Sequence, residues 1–279
     1  MKIVIPSYRR PDNVLALSEV TPELQEKYYV IAVRKSEESE YKKNYPHPEY
    51  LILPDGNYGI RETRQYINEY STGKIIVIDD DVSFRRTFPK PCLSCKDKGK
   101  PQVNWARYTK ETTSEVLEDM IEYLETLMDQ YYFGGIRSLA TQPRIYEKVI
   151  PYVLNKAVIW SAFFNLDHFD TEEFNYNNGP KMLEDIYINV EYFDKGYDIP
   201  SVTKFGISKP TKIGEQEGGC SEMTNRSSIH NKACIEMEQT YPQYIKAIES
   251  KTLSNAKHLN NKMLSVRCKF KRQRTSKLF

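Results

Sequence analysis

The sequence predicts an α/β fold in which helices flank a mixed, mostly parallel sheet, and three observations carry that expectation. Short, nearly continuous apolar runs recur through the N-terminal part of the chain, the pattern of strands covered on both faces. A segment of helical periodicity separates two of these runs, and strand, helix, strand implies a parallel crossover. An acidic triplet, Asp79-Asp80-Asp81, follows the apolar run Lys74-Ile75-Ile76-Val77-Ile78. It puts carboxylates where an open α/β sheet releases its chain into a ligand crevice.

In chain order, residues 2–5, 29–33, 50–53 and 75–78 are the expected strands. Over 60–70, Ile60, Thr63, Tyr66, Ile67 and Tyr70 recur at helical spacing, and Gly73 supplies a stop. Residues 6–10, 54–59 and 79–81 then emerge at the carboxyl ends of strands. Residues 85–104 are rich in Lys, Pro, Gly and Cys and lack periodicity, so an inserted loop is expected there. Its single CxxC, Cys92 and Cys95, has no second CxxC to complete a zinc site, which favours free thiols or local packing. Thr112 opens a helix with Glu115 as its capping-box partner. Val116, Leu117, Met120, Ile121, Leu124, Leu127 and Met128 form its buried stripe. Residues 133–138 and 156–164 are further strands. Over 182–195, Leu183, Ile186, Val190 and Phe193 keep helical spacing, with Gly196 as the stop and Asn177-Asn178-Gly179-Pro180 as the preceding turn.

Composition narrows the class. The 279 residues suffice for one large core or two modest ones, and no apolar stretch reaches the roughly 18–20 residues of a membrane span. The start of the chain lacks the pattern of a secretory signal, and five scattered cysteines do not form a disulfide framework, so a cytoplasmic location is expected. The net charge of +2 conceals an asymmetry: residues 251–279 hold nine Lys and Arg and no Asp or Glu. The expected organisation is a domain over 1–250 and a basic C-terminal extension over 251–279. Such an extension either steers a polyanion or is simply a solvated end.

Two acidic constellations are candidates for chemistry. The triplet suits a metal–nucleotide site. Glu184-Asp185, near the start of the 182–195 helix, suits either a cap favoured by the helix dipole or a general base acting on an acceptor hydroxyl.

Four pieces, Ile5-Pro6-Ser7-Tyr8-Arg9-Arg10-Pro11, Gly59-Ile60-Arg61-Glu62-Thr63-Arg64-Gln65, Val77-Ile78-Asp79-Asp80-Asp81 and Leu183-Glu184-Asp185, appear in an order that resembles the GT-A-fold nucleotide-sugar glycosyltransferases. That fold is Rossmann-related, and the likeness spans residues 1 to about 196. The resemblance implies that Pro6, Ser7, Tyr8 and Arg9 line a nucleotide pocket beside Asp80, with Arg61 and Arg64 meeting donor oxygens. It implies that Asp79 and Asp81 are the DxD pair, Asp81 holding Mn²⁺ or Mg²⁺ and Asp79 facing the ribose or a metal-bound water. The donor is expected to be a UDP-sugar. Asp185 is implied as the base of an inverting transfer, Glu184 supporting it. His230, after the polar segment Gly218-Gly219-Cys220-Ser221 and Asn225-Arg226-Ser227-Ser228-Ile229, is the implied third metal ligand, and Ser227 or Ser228 a phosphate contact. His168, beside Asp167 and Asp170, is a weaker acceptor-side candidate.

For the acceptor, the acid-free tail favours nucleic acid. The chain looks like the small phage enzymes that glycosylate hydroxymethylated pyrimidines such as hydroxymethylcytosine in DNA, including the group associated with base-oxidising dioxygenases. That resemblance implies action inside a phage-infected bacterial cell. Lys262, Arg267, Lys269, Lys271, Arg272, Arg274 and Lys277 are the expected DNA-backbone contacts, and Trp105, Arg107 and Tyr108 candidates for bases or for packing. No membrane or obligate protein partner is expected. The alternatives are a polysaccharide or surface-glycan glycosyltransferase, a noncatalytic nucleic-acid-binding protein and a nucleotidyltransferase.

Overall fold

The computed structural model describes residues 1–56, 58–91, 104–138, 144–145, 151–209, 225–250 and 263–270. β1 (Lys2–Pro6), α1 (Pro22–Tyr28), β2 (Tyr29–Arg34), α2 (Glu38–Asn44), β3 (Glu49–Leu53), α3 (Ile60–Tyr70) and β4 (Lys74–Ile78) alternate as the hydrophobic pattern requires. β1 pairs in parallel with β2 and β4, and β2 with β3. The spatial order β3-β2-β1-β4 means that the chain winds outward from β1 to β3 and then returns to the other side of β1. The switch point lies between β1 and β4, the place where open α/β sheets take ligands.

Beyond β4 come β5 (Ser83–Pro91), β6 (Asn104–Tyr108), α4 (Thr113–Met128), β7 (Phe133–Ser138), β8 (Arg144–Ile145), β9 (Tyr152–Leu154), β10 (Ser161–Asn165), α5 (Glu184–Asp194) and β11 (Pro200–Ser208). The sheet continues from β4 as β10-β7-β11-β5-β6-β8, with β9 also on β11. β10 runs antiparallel to both β4 and β7, so the carboxyl end of β7 shares an edge with that of β4. This is the helix-flanked mixed sheet that the sequence predicts.

Both faces are covered. Val116, Leu117, Met120, Leu124 and Met128 of α4 pack with Ile3, Ile5, Ile76, Ile78, Phe163 and Phe205 on one side. On the other, Ile67 of α3 and Ile186, Val190 and Phe193 of α5 pack with Val4, Val77, Phe133 and Phe164. The predicted capping box closes α4: Glu115 Oε2 accepts the Thr112 N–H at 2.6 Å, and the Glu115 N–H donates back to Thr112 Oγ1 at 3.4 Å.

Three expectations change. Residues 85–91, expected to open an inserted loop, belong to β5, whose backbone pairs with β11 and β6; the Lys and Pro content hid a strand, and Cys92 and Cys95 lie outside the described residues. Residues 226–230 are not a loop but the first turns of α6 (Arg226–Thr240). The stretch 263–270 is no separate extension. β13 (Leu264–Cys268) pairs antiparallel with β12 (Ile245–Glu249), Met263 and Phe270 are buried, and the Phe270 ring centroid is 5.1 Å from that of Phe193 on α5. Among the described residues, no helix is long and apolar enough to cross a membrane.

Candidate active site at the carboxyl ends of β1 and β4

Ser7, just beyond β1, donates its N–H to Ala32 O at 3.1 Å and its hydroxyl to Asp80 Oδ2 at 2.9 Å. Arg10 Nη1 donates to Asp80 Oδ1 at 2.7 Å. Asp80 is therefore spent on closing the switch point, its carboxylate held by the β1 loop. Burial pushes its pKa up to about 6, against the pull of Arg10 and Ser7. Pro6 is buried at the end of β1. Tyr8 lies beneath the Arg34 guanidinium, 3.8 Å from ring centroid to Cζ, with Arg9 5.0 Å away. Arg9 takes a left-handed backbone (φ 55°) and donates its N–H to Glu37 Oε1 at 2.9 Å.

Asp79, the first residue past β4, instead meets Arg64 of α3. Arg64 joins three elements there. Its Nη2 donates to Asp79 Oδ1 at 2.9 Å and its Nε to Glu184 Oε1 at 3.1 Å. Arg64 is only 3% exposed; desolvation opposes its charge, but Glu184 and Asp79 outweigh this and raise its pKa. Arg61, three residues earlier, instead binds Glu62 and donates to Gly179 O at 2.6 Å, tying α3 to the turn before α5.

Glu184 and Asp185 open α5 after Leu183, whose φ of 66° places it in the left-handed region. A leucine there is strained, on the order of 1–3 kcal/mol. Asn189 fixes the same turn: its side-chain N–H₂ donates to Asp185 O at 2.5 Å and Val158 O at 2.9 Å, while its oxygen accepts from Val158 N–H at 3.0 Å. Burial raises the pKa of both carboxyls. Asp185 adds to the rise at Glu184, and Arg64 opposes it at both. Asp185 Oδ1 accepts the Ile186 N–H at 2.8 Å. One acidic residue is thus tied to Arg64 and the other stands at the helix start beside it.

Two basic residues at this edge carry no sequence signal. Lys209, just past β11, ion-pairs with Asp79 Oδ2 at 3.2 Å and Asp81 Oδ1 at 2.9 Å. Arg137, on β7, has Nε and Nη1 buried without a hydrogen-bond partner among the described residues, and burial lowers its pKa to about 10. β10 lies between β4 and β7, so Arg137 is two strands from β4. Neither residue lies in a motif; only sheet register reveals them.

His230 does not join the aspartates. It sits one turn from Cys234 in α6, Nδ1 to Sγ 3.8 Å, and burial followed by Arg226 lowers its pKa. Among the described residues no three His, Cys, Asp or Glu side chains converge to hold a metal ion, His230 included. His168 stacks on Tyr132, centroids 4.9 Å apart, and Asp170 accepts the Glu172 and Glu173 N–H groups, so both have local structural roles. Arg267 and Lys269 are exposed on and beside β13. They flank Cys268, whose thiol pKa is raised by burial and then by Asp185. Lys262, Lys271, Arg272, Arg274 and Lys277 lie outside the described residues, as do Gly218 to Ser221.

A family model described as TET-Associated Glycosyltransferase matches residues 1–219. The "Beta-glucosyl-HMC-alpha-glucosyl-transferase" of Enterobacteria phage T6 is 29% identical over 247 residues, covering 87% of this chain and 82% of its own. The protein of the same name from Enterobacteria phage T2 is 28% identical with the same coverage. Among solved structures, a UDP-glucose pyrophosphorylase complexed with UDP-glucose overlaps 74% of this chain and 91% of its own, at 11% identity and a TM-score of 0.39.

Proposed function

The chain belongs to the TET-associated glycosyltransferase family, and from that premise we propose that it transfers a sugar from a nucleotide-sugar, expected to be a UDP-sugar, to a hydroxymethylated pyrimidine in phage DNA. The observation that carries the reading is the Arg64 bridge. It holds Asp79, the start of the DxD pair, against Glu184 and beside Asp185, so a donor group and an acceptor group share one crevice.

Asp79 and Asp81 fit a divalent cation, since their carboxylate oxygens converge on a single positive charge, the Lys209 ammonium. Hard Mg²⁺ or Mn²⁺ accepts one or two such carboxylates and completes its shell with substrate phosphates and water. When bound, that ion supplies neutralisation of the charge developing on the leaving diphosphate. The protein's own part is positional. Asp80, Ser7 and Arg10 lock the β1 loop to β4, and Asn189 fixes the first turn of α5. Asp185 takes the acceptor hydroxyl proton, the freed oxygen bonds to the anomeric carbon, and the carbon–oxygen bond to the diphosphate breaks with its electron pair leaving on the nucleotide. Direct displacement of this kind inverts the anomeric configuration.

DNA as acceptor is supported by the names of the phage relatives, which specify HMC, and by the exposed Arg267 and Lys269 of the basic C-terminal segment. Those names give a sugar already on HMC as the group extended, so the accepting hydroxyl belongs either to the base or to a sugar attached to it. The test is a panel of nucleotide-sugars incubated with hydroxymethylcytosine DNA, glucosylated DNA and plain DNA, read by intact-nucleoside mass spectrometry and by the product's anomeric proton coupling. A hexose mass gain on the modified nucleoside supports the reading. Transfer to none of the DNAs, with turnover on a glycan, moves the acceptor to a surface polysaccharide.

A further inference from the structure

The ammonium of Lys209 stands where two carboxylates meet. It is 2.9 Å from Asp81 Oδ1 and 3.2 Å from Asp79 Oδ2, and the side chain is 20% exposed. Its underside faces the Trp160 ring, with Nζ 5.2 Å from the centroid. Trp160 in turn accepts the Asp79 N–H on its carbonyl at 3.1 Å and holds a left-handed backbone, φ 64°. A bulky aromatic residue seldom adopts that conformation, which persists only where the surroundings impose it. One strained residue therefore fixes the backbone of the first aspartate and the seat of the lysine together. Asp79's other oxygen is taken by Arg64, so the Asp79 oxygen a cation would meet is the one that Lys209 holds.

We propose that Lys209 is the resident counter-ion of the Asp79–Asp81 pair and competes with a divalent cation for it. The inference rests on the reading of those aspartates as the metal-binding pair. A lysine is a compact point charge on a flexible four-carbon stem, able to leave the carboxylates without moving β11. Its departure removes the cation that the two carboxylates share, so the free enzyme binds metal weakly. A donor diphosphate restores the balance by giving the displaced ammonium an anionic partner. Metal and nucleotide then enter together, and neither carboxylate is left uncompensated in the interval.

The test titrates Mn²⁺ into the full chain without nucleotide, following free Mn²⁺ by electron paramagnetic resonance. Wild type is compared with Lys209→Met, Lys209→Gln and Lys209→Arg, circular dichroism confirming the fold of each. The two neutral variants give the reading independently of each other. They bind Mn²⁺ at least about tenfold more tightly than wild type, because the ammonium no longer offsets the pair's charge at close range, and Lys209→Arg stays near wild type. Adding Asp81→Ala to Lys209→Met abolishes the gain. Equal affinity in wild type and neutral variants overturns the proposal and leaves sugar transfer untouched, since no turnover is measured. Mn²⁺ binding that survives Asp81→Ala, or none in any protein, overturns the proposal together with the assignment of metal to these aspartates.

Discussion

Arg64 and Glu184 meet across the crevice, Nε to Oε1 3.1 Å, while the same guanidinium holds Asp79 at 2.9 Å through Nη2. The residues are 120 positions apart, and their pairing closes the distance between the two acidic motifs. Removing one partner of a buried ion pair leaves the others uncompensated. Arg64→Met is therefore expected to cost about 3–5 kcal/mol of stability, measured as the shift in urea midpoint at unchanged slope. A cost below about 1 kcal/mol would show that Asp79 and Glu184 find other partners.

The pH dependence separates Asp185 from Glu184. A general base works ionised, and burial raises the Asp185 pKa against the opposing pull of Arg64. As pH falls through that raised value the rate must fall, so the acid limb of kcat/KM should lie above the ordinary Asp range of about 3.9. The limb should vanish in Asp185→Asn and persist in Glu184→Gln. The reverse pattern would assign the base to Glu184.

Arg137 offers a stability prediction of opposite sign. Two of its guanidinium nitrogens are buried without a hydrogen-bond partner among the described residues, and such groups cost about 1–3 kcal/mol. Arg137→Met should raise the urea midpoint by a comparable free energy. Transfer should fall at the same time if the guanidinium serves an anionic substrate at this edge of the sheet. A destabilised Arg137→Met protein would mean that the guanidinium is compensated in the fold.

Much of this arrangement is legible in the sequence because its signals are local. The apolar runs mark β1 to β4, the Thr112–Glu115 box places the start of α4, and the four motifs lie in order along the chain. What stays hidden depends on register between distant strands. Lys209 reaches Asp79 and Asp81 because β11 ends near the β4 edge, and nothing in Gly206-Ile207-Ser208-Lys209 announces that. His230 is a ligand candidate by family resemblance alone, and the polar residues before it form the start of α6. The C-terminal segment resembles a free tail from its charge alone, whereas its small apolar content, Met263, Leu264, Val266 and Phe270, is what docks it.

That docking decides how DNA binding is tested. Truncation at residue 262 would strip β13 and Phe270 from the body, so the informative cut follows Phe270 and removes Lys271, Arg272, Arg274 and Lys277. Arg267→Gln with Lys269→Gln probes the exposed part of β13 separately. For every phosphate that no longer meets a basic side chain, the log-affinity versus log-salt slope should become shallower by about 0.9 on duplex DNA, read by fluorescence anisotropy over a salt series. Unchanged affinity and slope in both variants would remove this segment from DNA binding.

The most direct test of the whole arrangement is single-turnover sugar transfer to hydroxymethylcytosine duplex DNA by wild type and Asp185→Asn, with donor affinity measured by calorimetry on the same preparations. Loss of the base should slow transfer by about 10² to 10⁴, while donor affinity stays within about twofold, since Asp79, Asp81 and Arg64 remain in place. Wild-type transfer by Asp185→Asn, or a donor affinity that falls in step with the rate, would contradict the assignment of chemistry to α5 and donor binding to β4.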